Sequence, residues 1–295
     1  MRKFLKWVAR IAGLLLVVAV AIFAFGWFKS SAGLERSYVV NDPPLAMQRD
    51  AATIERGAHL FATRGCADCH AANGEGRVVL DAGPVFKVVA PNITPGGVVK
   101  SYSADQVAAS IRHGVKADGH AMVFMPSAEY SGMGDEDTAA LVAYLQSLPA
   151  SSNDPGPLEI RPVGRVMYAL GQLPLLPAEH IDHSPRSRTA PPIAATAEYG
   201  AYVAHGCTGC HGANFAGQHV PGTPPSFANA RNLTPTGLGS WTAADFRRAL
   251  REGKRPDGSA IDPFMPWQAY SKMTDVEIDA MWAFLQTLPA TPTGK

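Results

Sequence analysis

Two short motifs, Cys66–His70 (Cys-Ala-Asp-Cys-His) and Cys207–His211 (Cys-Thr-Gly-Cys-His), have the residue types and spacing that attach c-type haem. In such a motif both thiols add to the vinyl groups of one porphyrin, and the histidine beside the second cysteine binds the iron. The tight spacing follows because the two thioethers and the imidazole must meet the same porphyrin. We therefore expect two covalently bound haem c groups, attached by Cys66, Cys69, Cys207 and Cys210, with His70 and His211 as proximal iron ligands.

The spacing of the motifs disfavours the other chemistries of paired cysteines. A four-cysteine zinc site usually has its pairs about 15–20 residues apart, whereas 138 positions separate Cys69 from Cys207. A thioredoxin-like redox pair lies near a βαβ pattern, and neither motif has one. Two disulfides would not need a histidine after each second cysteine. Since all four cysteines lie in the motifs, no thiol remains for other chemistry.

The sixth iron ligand decides what a haem does, and methionine in that position favours electron transfer. Met125 and Met265 each precede a proline, which biases the methionine toward extended backbone. Met133 and Met273 instead lie just before a predicted helix. Thr274–Glu277 has the form of a capping box, in which the residue before the cap packs on the helix. We therefore predict Met125 and Met265 as the axial ligands, and packing roles for Met133 and Met273.

The remaining histidines are weaker candidates for iron binding. Four of them lie within the two halves that carry the motifs, yet none has a histidine at the equivalent place of the other half. We expect surface or propionate-contacting roles for these four and solvent exposure for three others. The first group is His113, His120, His205 and His219, and the second is His59, His180 and His183.

The second half of the chain repeats the first. Asn232–Pro235 answers Asn92–Pro95, and Phe264–Pro266 answers Phe124–Pro126, both at an offset of 140 residues. A nearly constant offset indicates duplication of one domain. Two domains also suit a chain of 295 residues, given the usual size of roughly 100–200 residues per domain.

The N-terminal stretch has the composition of a membrane-spanning helix. Four basic residues among the first ten precede an uncharged apolar run of 18 residues, 11–28, which just reaches spanning length. The basic cluster places the N-terminal end in the cytoplasm. A cleaved signal peptide is the alternative, but its apolar core is usually only ~7–15 residues long. We predict a retained single-pass anchor in the inner membrane, with the rest of the chain in the periplasm.

The pattern within each repeat predicts helices and loops. Apolar spacing indicates helices over 53–64, 103–112 and 135–148, and the glycine- and proline-rich stretch 73–97 is interpreted as a loop. The proline-rich stretch 151–196 predicts a semi-rigid linker. A formal net charge of +1 argues against a nucleic-acid partner, which would need a strongly basic face.

With both motifs, the Met-Pro segments and the similar closing segments Tyr144–Pro149 and Phe284–Pro289 in view, the chain resembles membrane-bound dihaem cytochromes c. Its repeats are similar to those of the multihaem cytochrome subunits of membrane alcohol and gluconate dehydrogenases. The resemblance covers about 53–150 and 197–290. Those subunits carry three haems and this chain has two motifs, so the electron donor stays open.

The resemblance implies an all-α fold with two tandem cytochrome c domains behind one N-terminal transmembrane helix. It also implies electron transfer with redox protein partners, such as a dehydrogenase, a quinol-oxidising complex or a terminal oxidase. The predicted division of the chain is an anchor (1–30), a connector (31–50), a first cytochrome c domain (51–150), the linker (151–196) and a second cytochrome c domain (197–295).

Two functions remain to be weighed. An electron relay needs closed coordination at both irons, which two Met-Pro segments would supply. A dihaem enzyme such as a cytochrome c peroxidase needs one iron with an open or displaceable sixth position. The symmetric pair Met125 and Met265, and the lack of an asymmetric acid–base cluster near one motif, favour the relay.

Overall fold

The structure is a computed structural model that describes residues 1–294. It is mostly helical, as the sequence predicts, with one long N-terminal helix followed by two similar sets of short helices. In chain order the helices are α1 (Arg2–Leu34), α2 (Ala51–Thr63), α3 (Cys66–His70), α4 (Ala104–His113), α5 (Ser127–Tyr130), α6 (Asp135–Ser147), α7 (Pro162–Ala169), α8 (Ala197–Ala204), α9 (Thr208–His211), α10 (Pro235–Leu238), α11 (Ala243–Glu252), α12 (Trp267–Tyr270) and α13 (Asp275–Thr287). Short 3₁₀ turns occupy Val98–Ser101, Pro177–His180 and His205–Cys207.

Each repeat is built on a pair of crossed helices, α2 with α6 in the first and α8 with α13 in the second. A glycine lies at both crossings. A Cβ at Gly57 would collide with the carbonyl oxygen of Ala140, and a Cβ at Gly200 would collide with that of Ala280. The two backbones can therefore approach closely only because these positions lack a side chain.

Side-chain caps fix where the main helices begin. Capping boxes open α4 (Ser103 with Gln106), α11 (Thr242 with Asp245) and α13 (Thr274 with Glu277). Each box satisfies backbone N–H groups that have no partner within the helix. The box predicted at Thr274–Glu277 is thus confirmed, and it fixes the position of Met273 immediately before it.

The stretch 73–97 is not wholly a loop, and that interpretation was wrong. It contains an antiparallel hairpin of β1 (Arg77–Asp81) and β2 (Phe86–Ala90), and β2 also pairs with the short strand β3 (Glu159–Ile160). The strands are rich in valine, which suits a pleated surface, but each is only a few residues long between glycines and prolines. This small sheet is the exception to an otherwise helical chain.

Helix α1 is long and apolar enough to cross a membrane by length and composition, a test that a signal sequence also passes. Its last turns pack against α7. A Cβ at Gly26 would lie 2.9 Å from Cγ2 of Val166. The Arg165 guanidinium lies 4.1 Å from the centre of the Trp27 ring and donates to Oγ of Ser30 at 2.8 Å. The C-terminal end of α1 is thereby part of a packed interface.

The stretch 151–196 also packs onto the first repeat through a buried polar cluster. The Asp42 carboxylate lies 2.6 Å from the Arg188 guanidinium and 2.9 Å from Nε2 of His113. His113 is fully buried, and its Nδ1 lies 3.0 Å from Nδ1 of His183. A hydrogen bond from the Phe124 amide to the Leu175 carbonyl adds to this contact. The stretch is therefore held in place and does not act as a free spacer.

Each of the two Asn-x-Thr-Pro segments is bonded to the chain that follows the last helix of its repeat. Nδ2 of Asn232 donates to the Thr291 carbonyl at 2.7 Å, and its Oδ1 accepts from both the amide and the hydroxyl of Thr234. Asn92 makes the equivalent bonds in the first repeat. Both asparagines are buried, so their role is to organise a turn.

Replacing Asn232 with alanine should lower the free energy of unfolding by about 1–3 kcal/mol, because the buried groups of Thr234 would lose their acceptor. Chemical denaturation of the full chain measures this change. Asn229→Ala serves as the control, since Asn229 is exposed. Equal effects of the two substitutions would contradict the role given to Asn232.

Candidate functional site

The first motif forms a single short helix, α3, between two residues with positive φ. Gly65 (φ +77°) precedes Cys66, and Ala71 (φ +64°) follows His70. This sharp entry and exit turn the motif's side chains into a cavity of about 550 Å³. Cys66, Cys69 and His70 line this cavity, and so does Met125. The structure therefore brings all four residues predicted for the first haem to one cavity.

Both motif histidines have the same hydrogen bond at the ring nitrogen next to Cβ. Nδ1 of His70 lies 2.9 Å from the Pro91 carbonyl oxygen, and Nδ1 of His211 lies 2.7 Å from that of Arg231. A carbonyl only accepts, so Nδ1 is the protonated nitrogen in each ring. Burial lowers the pKa of both imidazoles. Each ring is thus a neutral imidazole with its Nε2 lone pair free for a metal.

The four cysteines are free thiols in the structure. Burial is the main cause that raises the pKa of Cys66 and of Cys207 to about 12. It also raises the pKa of Cys69 and Cys210. All four side chains are half-buried and line the two cavities, Cys66 and Cys69 the first and Cys69, Cys207 and Cys210 the second.

The four methionines differ in burial. Met133 and Met273 are 6% and 3% exposed and belong to the cores of the two repeats, with Met273 in the same cluster as Ile278. Met125 and Met265 are only partly buried at the edges of these cores. Met133, however, also lines the first cavity. The structure brings Met125 to the cavity that His70 lines, whereas neither Met265 nor His211 is among the residues that line the two cavities described.

A second cavity, of about 320 Å³, lies between the two repeats. It is lined by Cys69 from the first motif and by Cys207 and Cys210 from the second. Tyr130 and Tyr270, which occupy equivalent positions of the repeat, also line it. Burial raises the pKa of both phenols well above the usual value. The attachment sides of the two motifs therefore face each other across one cavity.

Two equivalent contacts hold the repeats together in this orientation. Nε2 of His59 on α2 lies 2.8 Å from the Glu277 carboxylate at the start of α13. The Tyr202 hydroxyl on α8 donates to the Asp137 carboxylate at the start of α6 at 2.6 Å. Tyr202 is the repeat equivalent of His59, and Asp137 that of Glu277, so the two contacts are related by an approximate twofold axis. His59 thus lies at an interface, and its expected exposure to solvent was wrong.

Five other histidines have partners of their own, and of these His205 lines the cavity between the repeats. His113 and His183 bind each other in the polar cluster at Asp42, so His183 is not in solvent. Nδ1 of His205 donates to the Glu129 carbonyl, and His219 contacts Asn229 and Thr223. His120 lies beside Asp118. None of these contacts was visible in the sequence, because each partner except those of His219 and His120 is distant along the chain.

These residues fit a c-type haem. The first cavity is walled mostly by apolar side chains and has the size of a cofactor site. Two thiols and an imidazole with a fixed tautomer enter it from one side, and a thioether enters from Met125. Among residues 1–294, no group of three or more His, Cys, Asp or Glu side chains could hold a separate metal ion.

Comparison with known proteins gives relatives over most of the chain. A diheme cytochrome c-type protein of Cereibacter sphaeroides is 27% identical over 284 residues, which cover 88% of this chain and 94% of that protein. The cytochrome c subunit of gluconate 2-dehydrogenase from Pantoea cypripedii is 26% identical over 82% of this chain and 61% of that subunit. The fructose dehydrogenase cytochrome subunit of Gluconobacter japonicus is 33% identical over 93 residues, only 19% of its length.

The family model for cytochrome c matches residues 54–149 and 197–289, one segment in each repeat. Each matched segment contains one complete Cys-x-x-Cys-His motif, the arrangement that binds haem c covalently. The relatives are named as cytochromes or as cytochrome subunits of dehydrogenases. The chain therefore belongs to the cytochrome c family and is a haem electron-transfer protein.

Proposed function

We propose that the protein is a dihaem c-type cytochrome, anchored in the inner membrane with its haem domains in the periplasm. It relays electrons from a respiratory or dehydrogenase donor to an acceptor, as a redox partner or subunit of a larger complex. Its redox partner would be a dehydrogenase, a quinol-oxidising complex or a terminal oxidase. The observation that carries this proposal is that cysteines of both motifs, Cys69 from the first and Cys207 and Cys210 from the second, line one cavity between the repeats.

Haem c supplies a one-electron couple at its iron, and the chain's residues set the conditions. Cys66, Cys69, Cys207 and Cys210 would fix the two porphyrins to the fold. His70 and His211, held by carbonyl oxygens at Nδ1, would be the proximal ligands, and Met125 and Met265 the distal ones. With a histidine and a methionine at each iron, the apolar walls would exclude water and the site would change little between the two oxidation states. A relay requires this constancy.

Two features of α1 support a retained anchor. Its apolar side chains from Phe4 to Phe28 are largely exposed, and no other part of the described chain covers them, so a lipid environment would satisfy them. Its buried residues Gly26, Ser30 and Gly33 all pack against α7 or beside it. Cleavage near Ser30 would remove this packing surface. A folded domain that depends on the end of α1 favours an anchor over a signal peptide.

The packing of α1 against α7 would also orient the two domains relative to the membrane. Leu34 at the end of α1 and Arg165 on α7 line the first cavity, so the haem at Cys66–His70 would lie near the membrane. Contacts between α1 and helices α8–α13 are not among the principal packing contacts of the described chain. The haem at Cys207–His211 would then face the periplasm and its water-soluble partners.

Substituting Met265 with alanine should remove one of two iron–thioether charge-transfer bands in the spectrum of the oxidised protein, because one iron would lose its sulfur ligand. Met273→Ala is the control and should leave both bands, since Met273 packs in the core. The reverse result would overturn the ligand assignment.

A high-spin haem in the unmodified protein, or rapid turnover of peroxide, would contradict the relay and indicate an enzyme such as a peroxidase.

The purified membrane form should retain its N-terminal helix. Mass spectrometry of intact protein and of its peptides should detect the segment before Ser30, with the mass of two haem groups added to the chain. Recovery of a shortened chain from the soluble fraction, beginning near Ser30–Ala32, would show that the helix is a signal peptide.

A further inference from the structure

Glu129, on the short helix α5, points its side chain into the cavity between the repeats. It comes from the first repeat but lies against the second motif, since a Cβ at Gly209 would collide with Oε1 of Glu129. Gly209 is the third residue of Cys207–His211. The carboxylate therefore lies next to the peptide that would carry the second haem.

No hydrogen bond or ion pair to this carboxylate is found among residues 1–294. Its backbone is bonded at both groups: the amide donates to the Pro126 carbonyl, and the carbonyl oxygen accepts from Nδ1 of His205. A half-buried carboxylate without a partner is unfavourable, and burial raises the pKa of Glu129 to about 7. The side chain can therefore exchange a proton near neutral pH.

The surroundings of the cavity do not supply the missing charge. Arg64 lies at its wall but donates to the Val203 carbonyl, and the phenol of Tyr130 donates to the Arg64 carbonyl. Tyr270 and Tyr130 stay protonated because burial raises the pKa of both. The titratable and charged groups that line the cavity are Arg64, Asp68, Glu129, Tyr130, His205 and Tyr270, together with the thiols Cys69, Cys207 and Cys210.

Glu129 has no acidic equivalent in the second repeat. The residue equivalent to Glu129 in the second half is Ala269, and it offers no charge to the first motif. Asp68 occupies the place equivalent to Gly209, but it belongs to the motif itself. Glu129 is thus the one carboxylate that one repeat presents to the motif of the other within the described cavity lining.

We propose that Glu129 is a proton-binding site coupled to reduction of the haem at Cys207–His211. This inference rests on the proposed function, because it requires a haem at that motif. One electron from the donor reduces the iron from ferric to ferrous, and one proton from solvent adds to the Glu129 carboxylate. Both leave again when the acceptor takes the electron.

The direction of the coupling follows from charge. A ferric haem has one more positive charge than a ferrous haem and attracts the carboxylate, an attraction strengthened by the low dielectric of the cavity. Reduction removes this attraction, so the proton binds more tightly to the reduced protein. The reduction potential of the second haem therefore falls as pH rises through the range in which Glu129 titrates.

Redox titration of the full-length, two-haem protein at a series of pH values around neutrality tests the proposal. One of the two reduction potentials should fall as pH rises, by up to about 59 mV per pH unit. For a one-electron couple this equals a tenfold change in the reduction equilibrium. In Glu129→Gln that potential should be higher at alkaline pH and no longer vary. Glu136→Gln is the control, because Glu136 is an exposed acid of the same repeat, and it should behave as the unmodified protein does.

A Cys207→Ala/Cys210→Ala variant, which would keep only the first haem, should show no such dependence. Infrared difference spectra of the unmodified protein, reduced minus oxidised, should show a positive band from a protonated carboxyl group. This measurement tests the proposal even if Glu129→Gln fails to assemble. A potential that does not vary with pH, a dependence that persists in Glu129→Gln, or no carboxyl band would overturn the role of Glu129. Fewer than two haems per chain would instead overturn the proposed function.

Discussion

The contact between the two repeats is the constraint on which the rest of the arrangement depends. His59 with Glu277, and Tyr202 with Asp137, fix the relative orientation of α2, α6, α8 and α13. The Glu277 side chain is only 1% exposed. A buried charge whose partner is removed typically costs about 3–5 kcal/mol. A substitution at this contact would therefore alter the distance and angle between the two motifs as well as stability.

Acid should weaken this contact. The hydrogen bond from His59 and the cap at Thr274 lower the pKa of Glu277 to about 2, against the cost of its burial. Because the folded pKa lies below the unfolded value, the stabilisation is fully present above the ordinary pKa of a glutamate. It is lost as pH falls toward the folded value. The interface between the repeats is therefore stable at neutral pH and throughout mildly acidic conditions.

The two repeats share one architecture but have different surroundings. The first contacts the hairpin, the stretch 151–196 and the end of α1, whereas the second has fewer such coverings. Phe264 packs on Phe227 and is still 51% exposed, while its equivalent Phe124 packs on Phe86 and is half-buried. The motifs themselves differ as well, since His211 is buried whereas His70 is half-buried. This difference, together with Glu129, gives two similar haem sites different environments.

Much of this could be predicted from local sequence. The Cys-x-x-Cys-His motifs, the duplication and the capping box at Thr274 depend on neighbouring residues, and the main helices begin and end within about two residues of the predicted positions. The hairpin at Arg77–Ala90 was missed because glycine and proline mask two short strands. His59, Asp42 and Glu129 could not be assigned, because their partners lie in other parts of the chain.

Flash reduction of one haem in the full-length protein, followed by absorbance, tests most directly whether the two motifs form a relay. Because the motifs face one cavity within a single chain, the electron should redistribute between the haems in a first-order phase whose rate does not change with protein concentration. A redistribution whose rate rises in proportion to protein concentration would show that electrons pass only between molecules. That result would contradict the relay.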